Sequence, residues 1–366
     1  MNILNVAIIG CGGIARDKHI KNLLLIEGVK IVALYDYNVE AAVNVNKTML
    51  ENKAIVYETY EALLKDNTIH VVHICTPNAF HAPMSIAAME TGKHVMCEKP
   101  MAMNSEEAKE MVDVSIKTNK QLGIALQNRF RRDSLYLKKL VKNNELGDIY
   151  YAKAHAVRRR AVPVWGDFLN KKKQGGGALI DIGVHALDLT LWLMGKYDVE
   201  YVVGKTYKKI GEQPTDYNVW GDWDPTKFEV DDSAFAQIIM KDGSTVNLEA
   251  SWALNTLNID EAKSTLHGTI AGADMQEGLR INGTLHKDLY THTIDLKKED
   301  IEWYNKNCED EGCAEMHAWI HSLKTNTPYM VNPKEVLVVT RIIEAIYESS
   351  NTNKPIYVGD CYGKNI

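Results

Sequence analysis

The chain has 366 residues, and we expect two domains because a single hydrophobic core stops growing at about 250–300 residues. Apolar residues make up 45% of the sequence and charged residues 25%, which is typical of a folded soluble protein and argues against intrinsic disorder. The net charge of −6 argues against a protein that binds nucleic acid or an anionic membrane surface, since such a protein carries a basic excess.

The cysteines and the first residues indicate the compartment. Six cysteines show no regular disulfide spacing, and a chain of this length needs no such staple, so we expect reduced thiols. The opening MNILNVAIIG lacks the basic segment of a secretory signal and enters a strand-like run directly. We count no apolar stretch that approaches the ~20 residues needed to cross a bilayer. We therefore expect a cytoplasmic protein.

From the start to Gln127, short runs rich in Val and Ile alternate with segments of helical periodicity. The strand candidates are VAIIG, IVALYD, HVVHICTP, HVMCEKP and QLGIALQ, with helices such as AFHAPMSIAAMETG and SEEAKEMVDVSIKTN between them. This alternation predicts βαβ units and a parallel sheet covered on both faces. We predict an α/β Rossmann dinucleotide-binding domain over residues 1–127.

Beyond Asn128 the pattern changes to strand-like runs separated by turns, such as KDG in SAFAQIIMKDGSTVNLEASWA, with helical segments near both ends. We predict an α+β domain over residues 128–366 for substrate binding and oligomerisation. It should contain a large open, mainly antiparallel sheet with helices on one face. Its last helices could pack back on the first domain. An uncovered sheet face predicts a homo-oligomer.

The segment VAIIGCGGIARDKHI places Gly10, Gly12 and Ala15 in a G-x-G-x-x-A spacing between the first strand and the first helix. Gly10 permits a tight turn, Gly12 lets the backbone approach a pyrophosphate, and Ala15 allows close packing of helix on strand. Asp36 ends the second strand, where a carboxylate can bind a ribose and would repel a 2′-phosphate. The predicted cofactor is therefore NAD.

Lys99 follows a buried strand in the segment HVMCEKP. Because the carboxyl ends of strands in a doubly wound sheet open onto the ligand crevice, Lys99 is expected to project towards the nicotinamide. A lone lysine at a strand end is more often simply solvated. The glycine loop and Asp36 at the same edge of the sheet favour a functional role.

The segment ALIDIGVHALDLTLWLMG, after a flexible GGG loop, holds two carboxylates and an imidazole among apolar residues. In a helix over residues 178–194, Asp181, His185 and Asp188 share one face at i, i+4 and i+7. An isolated buried charge is costly, so these groups must be paired or must line a cleft. Asp181 and His185 favour a catalytic site, with Asp188 as a structural group. The alternative is a self-contained cluster in which Asp188 pairs with His185 or with backbone.

These segments together resemble the Gfo/Idh/MocA oxidoreductases over nearly the whole chain. The shared motifs are GCGGIA, TPNAFH, EKP, QNRF, GGGALIDIGVHALD and VDDSAFAQIIMKDGSTVNLEASWA. The resemblance implies a Rossmann domain, a second α/β domain with a large open sheet, dimers or tetramers built on that sheet, and a substrate pocket lined by Lys99, Asp181 and His185. The predicted cofactor-binding residues are Gly10, Gly12, Gly13, Ile14, Ala15, Asp36, Thr76, Pro77, Asn78, His81, Glu98, Lys99 and Asn128.

The predicted reaction is hydride transfer between a secondary hydroxyl of a sugar or glycoside and NAD. His185 is a suitable general base near neutral pH, and the Lys99 ammonium can stabilise the developing alkoxide. Asp181 would hold the substrate or orient the imidazole. The sequence leaves open whether Lys99 or His185 takes the proton.

The segment RRRAVPVWGDF and the tryptophans at 165, 220 and 223 suggest a carbohydrate site, although each tryptophan is more often a core residue. The predicted substrate-binding residues are Lys99, Arg158, Trp165, Asp181 and His185. This stretch is similar to family members that act on sugars and glycosides, including ones that oxidise a glucoside at its 3-hydroxyl.

Two other functions remain open. A 3-keto sugar acidifies the neighbouring C–H bond, so the same site could run oxidation, elimination and re-reduction as an NAD-recycling glycosidase. Catalytic NAD with release of free sugar would indicate this reaction. A non-catalytic sugar sensor of the same fold would not need a complete set of lysine, aspartate and histidine, which makes it the weakest alternative.

Four residues follow the spacing C-x4-C-x3-H-x3-H: Cys308, Cys313, His317 and His321. Zinc binds these residue types. The alternative is a helix packed through its apolar residues, with the histidines at its edge. The spacing matches no established zinc module, and hydride transfer does not require a metal, so we expect none.

Overall fold

The computed structural model describes residues 3–304 and 308–359. The chain divides into two compact units, Met1–Gln127 with Lys306–Val336 and Asn128–Asn305 with Leu337–Ile366. A segment near the C-terminus therefore belongs to the first unit, whereas the boundaries expected from the sequence placed it in the second domain.

A six-stranded parallel sheet forms the centre of the first unit. Its strands are β1 (Leu4–Ile9), β2 (Val29–Tyr35), β3 (Ile55–Val56), β4 (Val71–Ile74), β5 (His94–Glu98) and β6 (Leu122–Ala125). Their order in space is β3-β2-β1-β4-β5-β6, the doubly wound order of a Rossmann fold. The chain reverses its winding direction between β1 and β4, and ligands of such sheets bind beyond the carboxyl ends of the strands at that point.

Four of the six helices described in the first unit begin at a side-chain capping residue. They are α1 (Lys21–Leu23), α2 (Val39–Met49), α3 (Tyr60–Leu64), α4 (His81–Glu90), α5 (Ser105–Thr118) and, near the C-terminus, α9 (Glu311–Thr325). A π-helical turn, Ala15–Ile20, leads from the glycine loop into α1. The side chains of Asn38, Thr59, Asn104 and Asp310 accept hydrogen bonds from the first turns of α2, α3, α5 and α9.

The second unit contains a nine-stranded sheet. Its strands are β7 (Ile149–Val157), β8 (Val199–Tyr207), β9 (Ser233–Met240), β10 (Thr245–Ser251), β11 (Asp260–Gly268), β12 (Ala271–Asp274), β13 (Arg280–Leu285), β14 (Asp288–Thr293) and β15 (Ile356–Tyr357). Their order is β14-β13-β12-β11-β7-β10-β9-β8-β15. The pair β7 and β10 is parallel and the other pairs are antiparallel. This confirms the predicted fold class.

The helices of the second unit are α6 (Arg132–Lys142), α7 (Lys171–Gln174), α8 (Val184–Met194) and most of α10 (Pro333–Thr352). Every residue of α8 is buried, and α8 packs on β7 and β11. By length and composition, the stretch Lys171–Met194 is long and apolar enough to cross a membrane. From the sequence we had expected no apolar stretch of that length. The apolar window of Lys171–Met194 is entirely buried, as in the core helix of a globular unit.

Candidate active site

Two of the three glycines in the loop after β1, Gly10 and Gly12, have different surroundings. Gly10 has a φ of +86°, and a Cβ atom added to it would lie 2.5 Å from the carbonyl oxygen of Cys75, so only glycine fits. Apart from the chain neighbours of Gly12, a Cβ atom on this residue would meet no atom of the described residues within 4 Å. Gly10 therefore makes the turn, and the open space beside Gly12 lets a phosphate reach the backbone. Ala15 is fully buried where the helical turn begins.

Asp36 directly follows β2 and is fixed by two backbone amides. Its Oδ2 accepts a hydrogen bond from the amide nitrogen of Cys11 at 2.6 Å, and its Oδ1 accepts one from the amide of Asn38 at 2.8 Å. The carboxylate is thus held between the glycine loop and the start of α2. Together, the turn, the open space and the acid fit an adenine dinucleotide with a free ribose 2′-hydroxyl.

The predicted residues Thr76, Pro77, Asn78 and His81 follow β4. His81 is buried, with its Nε2 2.8 Å from the carbonyl oxygen of Thr76 and its Nδ1 2.7 Å from that of Pro100. Burial lowers the pKa of His81, although both carbonyl oxygens favour the protonated ring. His81 therefore ties the end of β4 to the end of β5, next to Lys99.

Glu98 and Lys99 end β5 in different environments. Lys99 is half-buried, and its amide donates a hydrogen bond to Glu98 Oε2 at 3.2 Å. Glu98 is buried, and its Oε1 lies 2.6 Å from Lys18 Nζ and 2.8 Å from His19 Nε2. Burial opposes ionisation of Glu98, but the charge of Lys18 and the hydrogen bonds to His19 and Lys18 together outweigh it and hold the pKa of this carboxyl well below its usual range.

Sequence reasoning missed the network that holds Glu98. Lys18 also pairs with Glu315 of α9, with an Nζ to Oε2 distance of 3.2 Å, and Glu315 is completely buried. The sequence does contain a sign that Glu315 is buried. In the segment CAEMHAWI this glutamate lies four residues before Trp319, so the two share one face of the helix, and Trp319 is fully buried. A carboxylate on the buried face of a helix requires a cationic partner.

Asp181 and His185 lie where two helical turns meet in the second unit. Asp181 belongs to a π-helical turn, Leu179–Gly183, which runs directly into α8, and His185 is the second residue of α8. The indole Nε1 of Trp252 donates a hydrogen bond to Asp181 Oδ2 at 2.9 Å. His185 is buried, whereas Asp181 is partly exposed. Trp252 therefore orients the carboxylate one turn before the imidazole.

Asp188 forms an ion pair with Arg129, which sequence reasoning did not identify. Arg129 Nε lies 2.9 Å from Asp188 Oδ2 and Arg129 Nη2 lies 2.6 Å from Asp188 Oδ1, with both side chains buried. This two-point geometry suits a buried guanidinium and carboxylate. Asp188 thus anchors α8, in keeping with a structural role for this residue.

The GGG loop is tightly packed, although its composition suggested flexibility. A Cβ atom on Gly176 would lie 2.0 Å from the Tyr347 hydroxyl, and one on Gly177 would lie 1.9 Å from the carbonyl oxygen of Asp231. The Asp231 carboxylate accepts hydrogen bonds from the amides of Gly177 and Leu179, at 2.8 and 2.9 Å, and from the Tyr347 hydroxyl at 2.8 Å. These contacts fix the start of the turn that carries Asp181.

An aromatic row extends from Trp252. We define it as Trp252, Phe168, Trp165 and Trp220, whose successive ring centroids are 6.4, 5.8 and 4.9 Å apart. Trp165 is 50% exposed and Trp220 is 39% exposed, whereas Trp252 is fully buried. Trp223, the third tryptophan suggested from the sequence, is buried and donates its indole N–H to the Gln213 carbonyl oxygen. The row therefore has a buried end at Asp181 and an exposed end.

Arg158 lies at the exposed end of the aromatic row. Its guanidinium pairs with Glu261 and stacks over the Trp220 ring, 5.2 Å from the ring centroid. A cavity of about 870 Å³ begins beside it, lined in part by Arg158, Arg160, Tyr217, Trp223 and Glu261. This is large enough for a sugar with a substituent.

The predicted site residues fall into two groups. Most of the predicted cofactor residues, and Lys99, lie in the first unit, whereas Asn128, Arg158, Trp165, Asp181 and His185 lie in the second. Within the first unit, the glycine loop and Asp36 share a hydrogen bond. Within the second unit, the aromatic row links Asp181 to Trp165, and Arg158 stacks on its last member.

Comparison with known proteins gives consistent matches along the chain. Residues 4–126 match the NAD-binding Rossmann fold of an oxidoreductase family, and residues 138–358 match its C-terminal alpha/beta domain. The chain is 33% identical over 351 residues to D-glucoside 3-dehydrogenase of Escherichia coli (strain K12), covering 95% of this chain and 96% of that relative.

Solved structures share the fold. An oxidoreductase domain protein from Kribbella flavida has a TM-score of 0.86 at 19% identity, covering 98% of this chain and 100% of the other. Levoglucosan dehydrogenase in complex with NADH and levoglucosan has a TM-score of 0.81 at 22% identity, with the same coverage. The predicted oxidoreductase class, Rossmann domain and NAD cofactor are confirmed by the family matches. The chain belongs to the Gfo/Idh/MocA family of oxidoreductases.

Proposed function

We propose that the protein is an NAD-dependent dehydrogenase that oxidises a secondary hydroxyl of a sugar or glycoside, with the 3-hydroxyl of a glucoside as the first candidate. The observation that carries the proposal is the placement of Asp181 and His185 one turn apart on a mostly apolar helical segment whose residues are largely buried. The name of the 33% identical relative, D-glucoside 3-dehydrogenase, supports the choice of substrate.

When bound by the glycine loop and Asp36, NAD would supply the hydride-accepting group for oxidation of the carbon that carries the hydroxyl. His185 takes the hydroxyl proton, directly or together with Lys99, whose ammonium donates a hydrogen bond to the same oxygen. Asp181, oriented by the Trp252 indole, binds a neighbouring hydroxyl or the imidazole. The first unit holds the cofactor and the second unit supplies the substrate site. Asp36 selects NAD over NADP, since its carboxylate repels a 2′-phosphate.

The aromatic row provides the specificity in this proposal. Exposed indole faces bind the apolar face of a pyranose, and Arg158 provides hydrogen-bond donors to hydroxyls. Because the cavity beside Arg158 has a volume of about 870 Å³, we propose that the substrate carries an aglycone or a second sugar. A free monosaccharide would leave this space unfilled.

The remaining parts of the proposal concern the setting of the enzyme. We propose a homodimer or homotetramer that forms through the face of the nine-stranded sheet opposite α8. We also propose a cytoplasmic location. We propose no nucleic-acid or membrane partner, and the net charge of −6 supports this part of the proposal.

The test is a screen of glucosides and free sugars, followed by the absorbance of reduced nicotinamide. We expect one NADH per keto sugar formed with a glucoside, and turnover at least about 100-fold lower in Lys99→Met and His185→Asn while both variants still bind NAD. The exposed-residue variants Lys117→Met and His292→Asn serve as controls. Near-normal turnover in both site variants would reject the assignment. Free sugar released at catalytic NAD, without net NADH, would indicate the NAD-recycling glycosidase instead.

A further inference from the structure

Two cysteines and a histidine come together at the start of α9 in the first unit. Cys308, Cys313 and His317 each contribute one potential ligand atom, and these three atoms lie within 4.8 Å of one another. The side chains of Cys308 and Cys313 are buried, and their Sγ atoms are 2.8 Å apart. The proposed hydride transfer uses none of the three.

The local fold brings these groups together. Asp310 caps α9, and its Oδ1 accepts a hydrogen bond from the Cys313 amide at 2.8 Å. Cys308 lies two residues before this cap, and His317 lies one helical turn after Cys313, so both side chains reach the Cys313 sulfur. His321, the fourth residue of the C-x4-C-x3-H-x3-H pattern, is one turn further on, is exposed, and is not part of the group.

The donor set indicates which ion would bind. Two thiolates and an imidazole suit Zn²⁺, which takes sulfur at about 2.3 Å and imidazole nitrogen at about 2.0–2.1 Å. Mg²⁺ and Ca²⁺ prefer oxygen ligands. We propose that Cys308, Cys313 and His317 bind one Zn²⁺ ion, with water at the fourth position. The two sulfurs must separate by about 1 Å for tetrahedral binding, which a rotation of the Cys308 side chain can provide.

A disulfide between Cys308 and Cys313 is the competing possibility. It would require the sulfurs to approach to about 2.05 Å. The observed separation of 2.8 Å lies between the two arrangements and does not choose between them. The imidazole favours a metal ion, because His317 places a ring nitrogen within 4.8 Å of both sulfurs and so supplies a third ligand that a disulfide does not use.

The metal site would have a structural role, because the bound ion would stabilise the start of α9. The same helix carries Glu315, which pairs with Lys18, and Lys18 pairs with Glu98. An ion that joins Cys308 to α9 would therefore stabilise the helix that supports the end of β5. The proposal stands independently of the substrate and of the reaction proposed above.

The probe is Co²⁺ added to protein that has been reduced, stripped with a chelator and returned to chelator-free buffer. We expect equimolar binding with intense sulfur-to-cobalt charge-transfer absorption and tetrahedral d–d bands. Zn²⁺ should displace the cobalt and abolish both, and zinc should be found by elemental analysis of the purified chain. Cys308→Ser and Cys313→Ser should lose most of the charge-transfer absorption, and His317→Gln should bind cobalt at least about 10-fold more weakly. His321→Gln is the matched control and should bind as the wild type does.

The wild-type spectrum decides the outcome even if a cysteine variant fails to fold. Reduced wild-type protein that shows no charge-transfer band overturns the proposal. So does a Cys308–Cys313 disulfide recovered by peptide mapping from protein that contains no metal. Equal loss of binding in the His321→Gln control would overturn the assigned ligand set. Zn²⁺ should also raise the melting temperature of stripped wild-type protein and leave that of Cys313→Ser unchanged.

Discussion

Gly10 and Gly12 belong to one motif but are needed for different reasons. Gly10 is needed for folding, because it has a positive φ and because a Cβ atom added to it would lie 2.5 Å from a backbone oxygen. The space beside Gly12 contains no protein atom within 4 Å of a Cβ position, so its openness concerns the ligand. A glycine spacing of this kind therefore combines a requirement for folding with a requirement for binding.

Alanine substitutions should separate these two requirements. Gly12→Ala should leave the melting temperature unchanged and weaken NAD binding by about 10-fold or more, because the new methyl group occupies the approach to the backbone. Gly10→Ala should lower the melting temperature, since its Cβ atom overlaps the Cys75 backbone. Gly359→Ala is the control, because Gly359 is not among the predicted cofactor residues and a Cβ atom on it would meet no atom of the described residues within 4 Å. Calorimetric unfolding and NAD titration would measure both effects, and equal losses in all three variants would contradict the distinction.

Trp165 offers a test of the aromatic row as a binding surface. Trp165→Ala should raise KM for a glucoside about 5-fold at nearly constant kcat, because loss of stacking costs about 1 kcal/mol and affects ground state and transition state alike. Trp165→Phe should recover most of the loss. Tyr357→Ala, which removes a 70% exposed ring on β15, is the control. A fall in kcat with unchanged KM would show that Trp165 does not bind substrate in this way.

Helix α8 shows how a whole element is held so that two of its polar residues can be used. Its side chains are buried all round, so its position is fixed by packing on β7 and β11. The ion pair between Arg129 and Asp188 fixes one side, and the contacts of Asp231 and Tyr347 with the GGG loop fix the turn that precedes the helix. Asp181 and His185 are thereby pre-positioned without needing to support the helix themselves.

Loss of the Arg129 guanidinium should show the cost of an unpaired charge in this element. Arg129→Met should lower the free energy of unfolding by about 3–5 kcal/mol, because Asp188 would remain buried and charged without its partner. Arg129→Met with Asp188→Leu should recover much of that loss. Arg280→Met breaks a partly exposed ion pair with Asp274 and should lower the free energy of unfolding far less. Urea unfolding measures all of these, and equal costs for the two arginine variants would contradict the argument.

The start of β5 should make stability depend on pH. His94 Nδ1 accepts a hydrogen bond from the Gln121 amide at 2.9 Å, and burial, reinforced by Lys120 and His70, lowers the pKa of His94 to about 4. The folded state therefore favours the neutral ring, whereas the unfolded chain takes up a proton below about 6.5. The contribution of His94 to stability is fully present above the pKa that this residue has in the unfolded chain. It is lost as the pH falls from there through the lower pKa of the folded protein.

We expect this loss to be about 2 kcal/mol, less than the full shift implies, because the ring is partly exposed to solvent. His94→Asn keeps an acceptor for the Gln121 amide but does not titrate, so its unfolding free energy should depend less on pH by that amount. Urea unfolding at about pH 7 and about pH 4.5 measures the difference. His292→Asn removes an exposed imidazole on β14 as the control. Parallel pH profiles for wild type and His94→Asn would contradict the prediction.

For the molecule as a whole, local sequence patterns are enough to predict the architecture. They do not predict the contacts between residues that are far apart in the chain. Alternating strands and helices, the glycine spacing and the strand-end Asp36 are local features, so the sequence alone predicts the Rossmann sheet and its NAD site. The Asp188 partner lies 59 residues away at Arg129, and the indole that orients Asp181 lies 71 residues away at Trp252. Nothing in periodicity specifies such pairs, because they depend on which strand ends the fold brings side by side.

The open face of the nine-stranded sheet leads to a prediction about assembly. A row of cross-strand neighbours, Tyr201, Ile239, Thr245 and Tyr151, crosses this face, and Val203 on β8 is 42% exposed. Aromatic and aliphatic groups on a broad sheet face are typical of a subunit interface.

A charge placed on this face should therefore prevent assembly. Val203→Glu should shift the chain from a dimer or tetramer towards monomer at micromolar concentration, because a carboxylate would be desolvated without a partner. Ile116→Glu, at a 62% exposed isoleucine on α5 of the first unit, is the matched control and should leave the mass unchanged. Light scattering after size-exclusion chromatography gives the masses directly. A wild-type monomer, or an unchanged oligomer in Val203→Glu, would show that this face is not the interface, and the NADH yield of each species would show whether assembly is needed for catalysis.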